Sequence, residues 1–332
     1  MRAGQEIVVI ALGGTILGRG KRGCEGYVSG AMGVESLTKE LCVTLGLKRA
    51  ELEQRLGAKI TLLSLASIDS AEIDSRILLE LARAVQKALQ NKRVCGVVVL
   101  QGTDTLEESS FFLHLLSTSK KPIIFSAAMR PNSALGSDGV RNFYHALILA
   151  ACPKSAKNGV LIALNDLILS ARDVIKSHTL AVNAFECGYI GYMLEHTPQF
   201  LYKLRQIHTY KTPFSLEQLC APLPKVAILY GYQGDCVGDF AQVLKGEYKG
   251  VVYAGLGAGN CSARALQALS DLSEKIPVVI SSRIQQGAVS GAVARRFITA
   301  GNISAPKARI LLQLALAHSF THKEIAQIFR QI

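Results

Sequence analysis

No stretch of this 332-residue chain approaches the roughly 20 consecutive apolar residues that a membrane-spanning helix needs. Its apolar runs are short, at 7–12, 96–100, 122–125, 159–164, 225–230, 250–253 and 277–280. The first is too short for most signal-peptide cores and reads better as a strand. Eight cysteines show no CxxC and no Cys/His spacing of the kind that holds zinc, so no metal is expected. Thiols such as Cys95 and Cys152, in or near apolar runs, fit a reduced cytoplasmic protein. Charge is scarce, 19% against 49% hydrophobic residues, which excludes a disordered chain. Acids are outnumbered by bases, 25 to 37, for a net charge of +12. The bases nevertheless spread along the whole chain, with a tight cluster only at 19–22, and helix-turn-helix, RNP and zinc-finger patterns are missing. Neither nucleic acid nor membrane is therefore expected as a partner, and the positive surface suits encounter with a small anionic substrate.

What the chain does have is rhythm. Its length accommodates two domains of unequal size, and short continuous apolar runs mark strands buried on both faces. Strands at 7–12, 59–65, 95–100, 122–127 and 159–165 alternate with helices near 34–45, 105–118 and 139–151. A further long helix, with Ser70 as its N-cap, carries Ile73, Ile77, Leu81, Ala84, Val85 and Ala88 on one stripe. Such alternation predicts a mainly parallel sheet covered on both faces. Prolines at 198, 213, 222 and 224 interrupt it and predict a connector over 196–224. A smaller α/β unit follows, with strands at 225–230, 250–254 and 276–281 and helices near 237–245 and 262–272. Two helices close the chain, the last opened by the capping box Thr321-His322-Lys323-Glu324. The expected architecture is α/β throughout: a larger, mainly parallel domain over 1–195 and a smaller parallel one over 225–332.

The chemistry-bearing residues stand at strand ends, where open α/β sheets bind ligands. Gly13-Gly14-Thr15-Ile16 follows the first strand, but it is not GxGxxG and no acid ends the next strand, so no dinucleotide is expected. The Walker pattern is also missing, and no organic cofactor is implied. Alone, these glycines read as a tight turn and Thr15 as a helix cap. Gly102-Thr103-Asp104-Thr105 follows the strand at 95–100, Ala128-Met129-Arg130-Pro131 with Ser137-Asp138-Gly139 follows the next, and Arg172-Asp173-Val174-Ile175-Lys176 lies beyond another. All are expected to converge on one sheet edge. A threonine hydroxyl needs a base within about 3 Å to act as a nucleophile. A lysine desolvated beside a carboxylate can supply one. Thr103, Lys176 and Asp104 therefore form a hydroxyl, base and orienter set.

These segments, taken together, resemble the bacterial-type asparaginase/glutaminase family, close to its type II branch. The resemblance extends to Tyr27 with Gly33-Val34-Glu35-Ser36-Leu37, to Gly257-Ala258-Gly259-Asn260, to Ser281-Ser282-Arg283 and to the stretch from Pro306 to Leu316. It spans nearly the whole chain in the family's order and implies the family's two-domain fold. It further implies that Thr15 is the primary nucleophile, on a loop shared with Tyr27 whose glycines at 18, 20, 23, 26 and 30 suit a closing lid. Thr103, Asp104 and Lys176 would form a second, rigid set, and Ser67 would hold the substrate α-carboxylate. Gly14, Gly102 and Ala128 would line the substrate, with backbone N–H groups near Thr15 and Thr103 at the oxyanion. The family works as a homotetramer of intimate dimers on a small amide, and Asn260 matches the residue a partner subunit contributes.

Two positions depart from the family. Ile68 stands where the family has a glutamine, and Ala292 near where it has a glutamate; both family residues, with the aspartate matched by Asp104, bind the substrate α-ammonium. Arg295 and Arg296 stand where acids are usual, and Asp69 is the nearest acidic substitute. Each lost contact to a buried charge costs about 1–3 kcal/mol, roughly tenfold or more in affinity. The resemblance thus implies cleavage of asparagine to aspartate and ammonia through an acyl-enzyme. The departures open a second reading, the same machinery on an amide lacking the α-ammonium. A non-catalytic binder of small acids and a transfer-RNA amidotransferase subunit are further alternatives.

Overall fold

The computed structural model describes residues 4–20, 26, 28–203, 211–234, 246 and 248–332. The chain divides into two compact units, one ending at Thr212 and one from Pro213 to Ile332. In the first, β1 (Glu6–Gly13), β2 (Lys59–Ile68), β3 (Val94–Leu100), β4 (Ile123–Ser126) and β5 (Val160–Leu164) are parallel, in the spatial order β2-β1-β3-β4-β5. The central strands are apolar without alternation because both of their faces are covered. On the edge, β2 alternates exposed and buried positions at its start. Ile7, Val9, Val98, Leu100, Ile124, Phe143 and Leu147, all fully buried, join one core, and each such side chain contributes about 1.5–3 kcal/mol.

The chain passes from β1 to β2 on one side, then crosses back to place β3 on the other side of β1. The winding direction therefore reverses between β1 and β3, and the C-terminal ends of these two strands border the crevice where such sheets bind ligands. The intervening helices are α1 (Val34–Leu45), α2 (Arg49–Leu56), α3 (Ser75–Gln90), α4 (Leu106–Leu116) and α5 (Gly139–Ala151).

Several local features differ from expectation. Helix α3 begins four residues later than expected, because Asp74 and not Ser70 caps it, its Oδ1 accepting the Ile77 N–H at 3.0 Å. Ser70 instead opens a single 3₁₀ turn, Ser70–Glu72. Helix α2 was not anticipated, since Leu52 is its one buried residue and it shows no apolar stripe. Past β5 the sheet turns antiparallel with β6 (Leu167–Ser170). A two-stranded ribbon, β7 (Ile175–Lys176) with β8 (Phe185–Glu186), stands apart. The eight-stranded sheet is completed by β9 (Tyr189–Leu194) and β10 (Thr197–Phe200). The last of these lies in the stretch read as a connector; Pro198 is tolerated because β10 is an edge strand, where one N–H face needs no partner.

The second unit holds β11 (Lys225–Tyr230), β12 (Tyr248–Gly255), β13 (Val278–Ser282) and β14 (Ile298–Thr299), parallel and in sequence order. With them come α6 (Ala263–Ser273), α7 (Gly291–Ala294), α8 (Ala305–Ala317) and α9 (His322–Gln331). The capping box is formed as expected: Glu324 Oε2 accepts the Thr321 N–H at 2.7 Å, and Thr321 Oγ1 accepts the Glu324 N–H. This α/β architecture matches the expected fold class. The helix expected over 237–245 lies outside the described residues, among which no helix is long and apolar enough to cross a membrane.

One buried polar cluster ties the antiparallel strands to α5. His145, 2% exposed, places Nδ1 3.4 Å from Asp166 Oδ1 and shares a 2.9 Å hydrogen bond between its Nε2 and His196 Nδ1. Asp166 and His196 occupy hairpin turns with φ of +62° and +65°. Burial, reinforced by His196 and Arg141 and opposed by Asp166, pulls His145 from 6.5 down to about 4. Between these values the unfolded chain binds the extra proton and the folded chain does not. Stability from this residue is therefore complete above pH 6.5 and is lost as pH falls toward 4. Denaturant unfolding at pH 7 and pH 5 is expected to show about 2 kcal/mol more loss in the wild type than in His145→Gln.

Candidate active site

The two strand-end turns meet backbone to backbone. Ala11 of β1 pairs with Leu100 of β3, so Thr15 and Thr103 follow from adjacent, in-register positions. Gly14 has φ +81°, and a Cβ there would lie 2.1 Å from Gly102 N and 2.3 Å from Gly102 Cα. A Cβ on Gly102 would lie 2.7 Å from Ser70 Oγ and 3.2 Å from Gly14 Cα. Only glycine at both positions lets the residues that bear the two threonines abut. Both threonines are nearly covered, Thr15 at 9% and Thr103 at 7% exposure. Thr15 opens a 3₁₀ turn, Thr15–Leu17, directly after β1, and Thr103 lies just before α4.

Lys176 joins the second threonine to its carboxylate. Its ammonium donates to Thr103 Oγ1 at 2.9 Å and to Asp104 Oδ1 at 2.5 Å. The lysine side chain is 16% exposed and that of Asp104 64%. A pair with one member in water adds about 0–1 kcal/mol to stability at most, so its consequence is geometric: a hydroxyl, an amine and a carboxylate held in one line. The Arg172–Lys176 segment reaches this place by a route not anticipated. It follows β6, which runs antiparallel, and Lys176 is presented by the β7–β8 ribbon, opposite Phe185. Arg172 pairs with its neighbour Asp173.

The β2 end closes the floor. Gly14 N–H donates to Ile68 O at 3.1 Å, Gly30 N–H donates to Gly14 O at 3.2 Å, and Ser67 Oγ donates to Gly30 O at 2.7 Å. Ser67 and Ile68 are thus joined to the Thr15 turn. The Ser67 hydroxyl proton is engaged with Gly30, and Ile68 brings a half-buried apolar side chain. Asp69 has one oxygen accepting the Ala71 N–H at 3.0 Å and the other accepting Ser29 Oγ at 3.1 Å. Ala128, fully buried, lies beyond β4, and a Cβ on Gly139 would touch both Ala128 and Ile16. Asp138 proves to be a scaffold residue: its carboxylate accepts the N–H groups of Met129 and Arg130 and the Asn142 amide at 2.9–3.0 Å.

Tyr27 lies outside the described residues. Asn260 and Ala292 belong to the second unit, and both are exposed. Asn260 closes a turn by exchanging backbone hydrogen bonds with Leu256, and Ala292 sits in α7. Sequence reasoning gave Ser70 only as a helix cap and assigned no site role to Gln101 or Thr105, yet they hold the Thr103 turn: Asp104 N–H donates to Ser70 Oγ at 3.2 Å, and Thr105 Oγ1 donates to Ser70 O at 2.8 Å. Their sequence signal was a serine at a strand end, which reads equally well as a helix cap. Among the described residues no group of three or more His, Cys, Asp or Glu could hold a metal ion.

The geometry is one in which a covered hydroxyl can attack a carbonyl while a neighbouring hydroxyl–amine–carboxylate line moves protons. The family model for "Asparaginase, N-terminal" matches residues 6–206, and that for "Glutaminase/Asparaginase C-terminal domain" matches 225–329. The probable periplasmic L-asparaginase of Haemophilus influenzae is 34% identical over 334 residues, covering 98% of this chain and 92% of that protein. The glutaminase-asparaginase of Acinetobacter glutaminasificans is 32% identical, covering 98% of each. The crystal structure of a probable cytoplasmic L-asparaginase from Campylobacter jejuni superposes with a TM-score of 0.90 at 35% identity, over 99% of this chain and 100% of the other.

The Gly14–Gly102 approach makes a direct prediction. Gly14→Ala is expected to destabilise the protein by more than about 3 kcal/mol in urea unfolding, because strain and a backbone clash coincide. Gly33→Ala, at φ −67° with nothing within 4 Å, is expected to cost about 1 kcal/mol or less.

Proposed function

Since the chain belongs to the asparaginase/glutaminase family of amidohydrolases, we propose that it hydrolyses L-asparagine to L-aspartate and ammonia with Thr15 as nucleophile. The carrying observation is the Thr103–Lys176–Asp104 line, set beside the Thr15 turn by the Gly14–Gly102 contact. Thr15 Oγ1 attacks the carboxamide carbon as its proton leaves through neighbouring groups. The C–N bond then breaks, and the nitrogen takes up a proton and departs as ammonia. Water, activated at the Thr103–Lys176 pair, attacks the acyl carbon, releases the carboxylate and returns the proton to Thr15. The N–H of Thr103, which donates to no atom among the described residues, is a candidate donor to the oxyanion. Ser67 takes the α-carboxylate by turning its hydroxyl from Gly30 O.

Tyr27, Asn260 and Ala292 keep the places that the family resemblance gives them, with Asn260 contributed by a partner subunit in a homotetramer of intimate dimers. A cytoplasmic location is proposed by likeness to the Campylobacter jejuni protein, which is described as probably cytoplasmic.

A second reading is favoured by Ile68 and Asp69. Ile68 offers an ammonium no polar side-chain partner, and both Asp69 oxygens already accept local hydrogen bonds. Asp104 is then left as the main partner of an α-ammonium, and an amide without one loses less on entering the site.

Ammonia release from asparagine and from succinamate separates the two. A higher kcat/KM for asparagine is expected. The reverse order transfers the conclusion to the second reading, and no ammonia from either sinks both. Lys176→Met is expected to lower kcat about 100-fold or more. Its circular dichroism and urea midpoint should stay close to wild type, because the ion pair adds little stability.

A further inference from the structure

We propose that Ser70 is a positioning residue for the reaction, clamping the Thr103–Asp104 turn to the end of β2; this rests on the amidohydrolase reading above. Ser70 is 2% exposed. Its hydroxyl caps neither neighbouring helical element: Asp74 caps α3, and Asp69 caps the 3₁₀ turn through the Ala71 N–H. The hydroxyl faces residue 104 instead, and the carbonyl, which also accepts the Ile73 N–H of its own turn at 3.4 Å, faces residue 105. The hydroxyl oxygen accepts the Asp104 N–H at 3.2 Å, and the carbonyl accepts the Thr105 hydroxyl at 2.8 Å.

The direction of these bonds is set from beneath. Gln101, fully buried, donates from Nε2 to Thr105 Oγ1 at 3.2 Å, so the Thr105 proton is turned toward Ser70 O. The absence of a Cβ on Gly102 makes the clamp possible, since that atom would stand 2.7 Å from Ser70 Oγ. Asp104 is thereby fixed by its backbone while its carboxylate, otherwise 64% exposed, meets Lys176. The clamp also binds together two functions. Ser67, Ile68 and Asp69, on the substrate-recognition side, immediately precede the residue that holds the proton-transfer line.

Loss of the Ser70 hydroxyl leaves the Asp104 N–H without its acceptor and frees the turn to shift. Small displacements of reacting groups cost rate more than binding. Ser70→Ala is expected to lower kcat for ammonia release about 10-fold with KM within about 3-fold. Thr105→Val, which removes the second half of the clamp, should do the same, and the double variant should fall less than the product of the two. Amide hydrogen exchange over 102–106 should quicken in each variant while exchange in the β4–β5 core does not.

Wild-type kcat in Ser70→Ala, or unchanged exchange over 102–106, overturns the proposal. If Ser70→Ala fails to fold, Thr105→Val carries the same test. If the wild-type protein releases no ammonia from asparagine or succinamate, the amidohydrolase reading fails on its own, and the exchange measurement still decides whether Ser70 holds the turn.

Discussion

The close approach of Gly14 to Gly102 is the constraint on which the site depends. Two turns that leave adjacent parallel strands diverge unless something lets their backbones touch, and a single Cβ at either position fills the space between them. Because they touch, a hydroxyl delivered by β1 and a hydroxyl delivered by β3 come from one crevice. The reversal of winding between these strands makes that crevice available. The apolar strands below supply rigidity, with Val9, Val98 and Leu100 fully buried under the turns.

Polar groups placed on this frame divide into the line proposed to move protons and the groups that hold the loops. Lys176, Thr103 and Asp104 form the hydrogen-bonded line to which the proposed reaction assigns proton transfer. Ser70, Thr105, Gln101 and Asp138 hold the loops, each buried or half-buried and each hydrogen-bonded to backbone or to another holder. At the end of β2, Ile68 stands where the family resemblance implies a polar residue. The Ile68 backbone accepts the Gly14 N–H, while its side chain is apolar and half-buried. The contact to the Thr15 turn uses only the Ile68 carbonyl, so the fold places no demand on the polarity of this side chain.

Expectation and structure agree where one force dominates. Continuous apolar runs became central strands because burial on both faces admits little else, and helix α5 and the α9 capping box fell where periodicity and local hydrogen bonding put them. They part where two forces compete. Ser70 and Asp74 are both good caps, and the crowded Gly102 turn claimed the serine. Helix α2 has too little apolar surface to show a stripe, and β10 carries a proline that an interior strand would refuse.

The alternation of strands and helices, the identity of the hydroxyls, amine and carboxylate at the strand ends, and the family were all legible in the order of residues. These follow from local chemistry: side-chain polarity, glycine freedom and spacing along the chain. The tertiary structure alone decided that Lys176 arrives on a separate ribbon after an antiparallel strand, that the Ser67 hydroxyl faces Gly30, and that Ser70 serves a turn 34 residues away. Such pairings depend on which groups remain unsatisfied once the core has packed, and buried donors and acceptors find partners in space without regard to their distance in sequence.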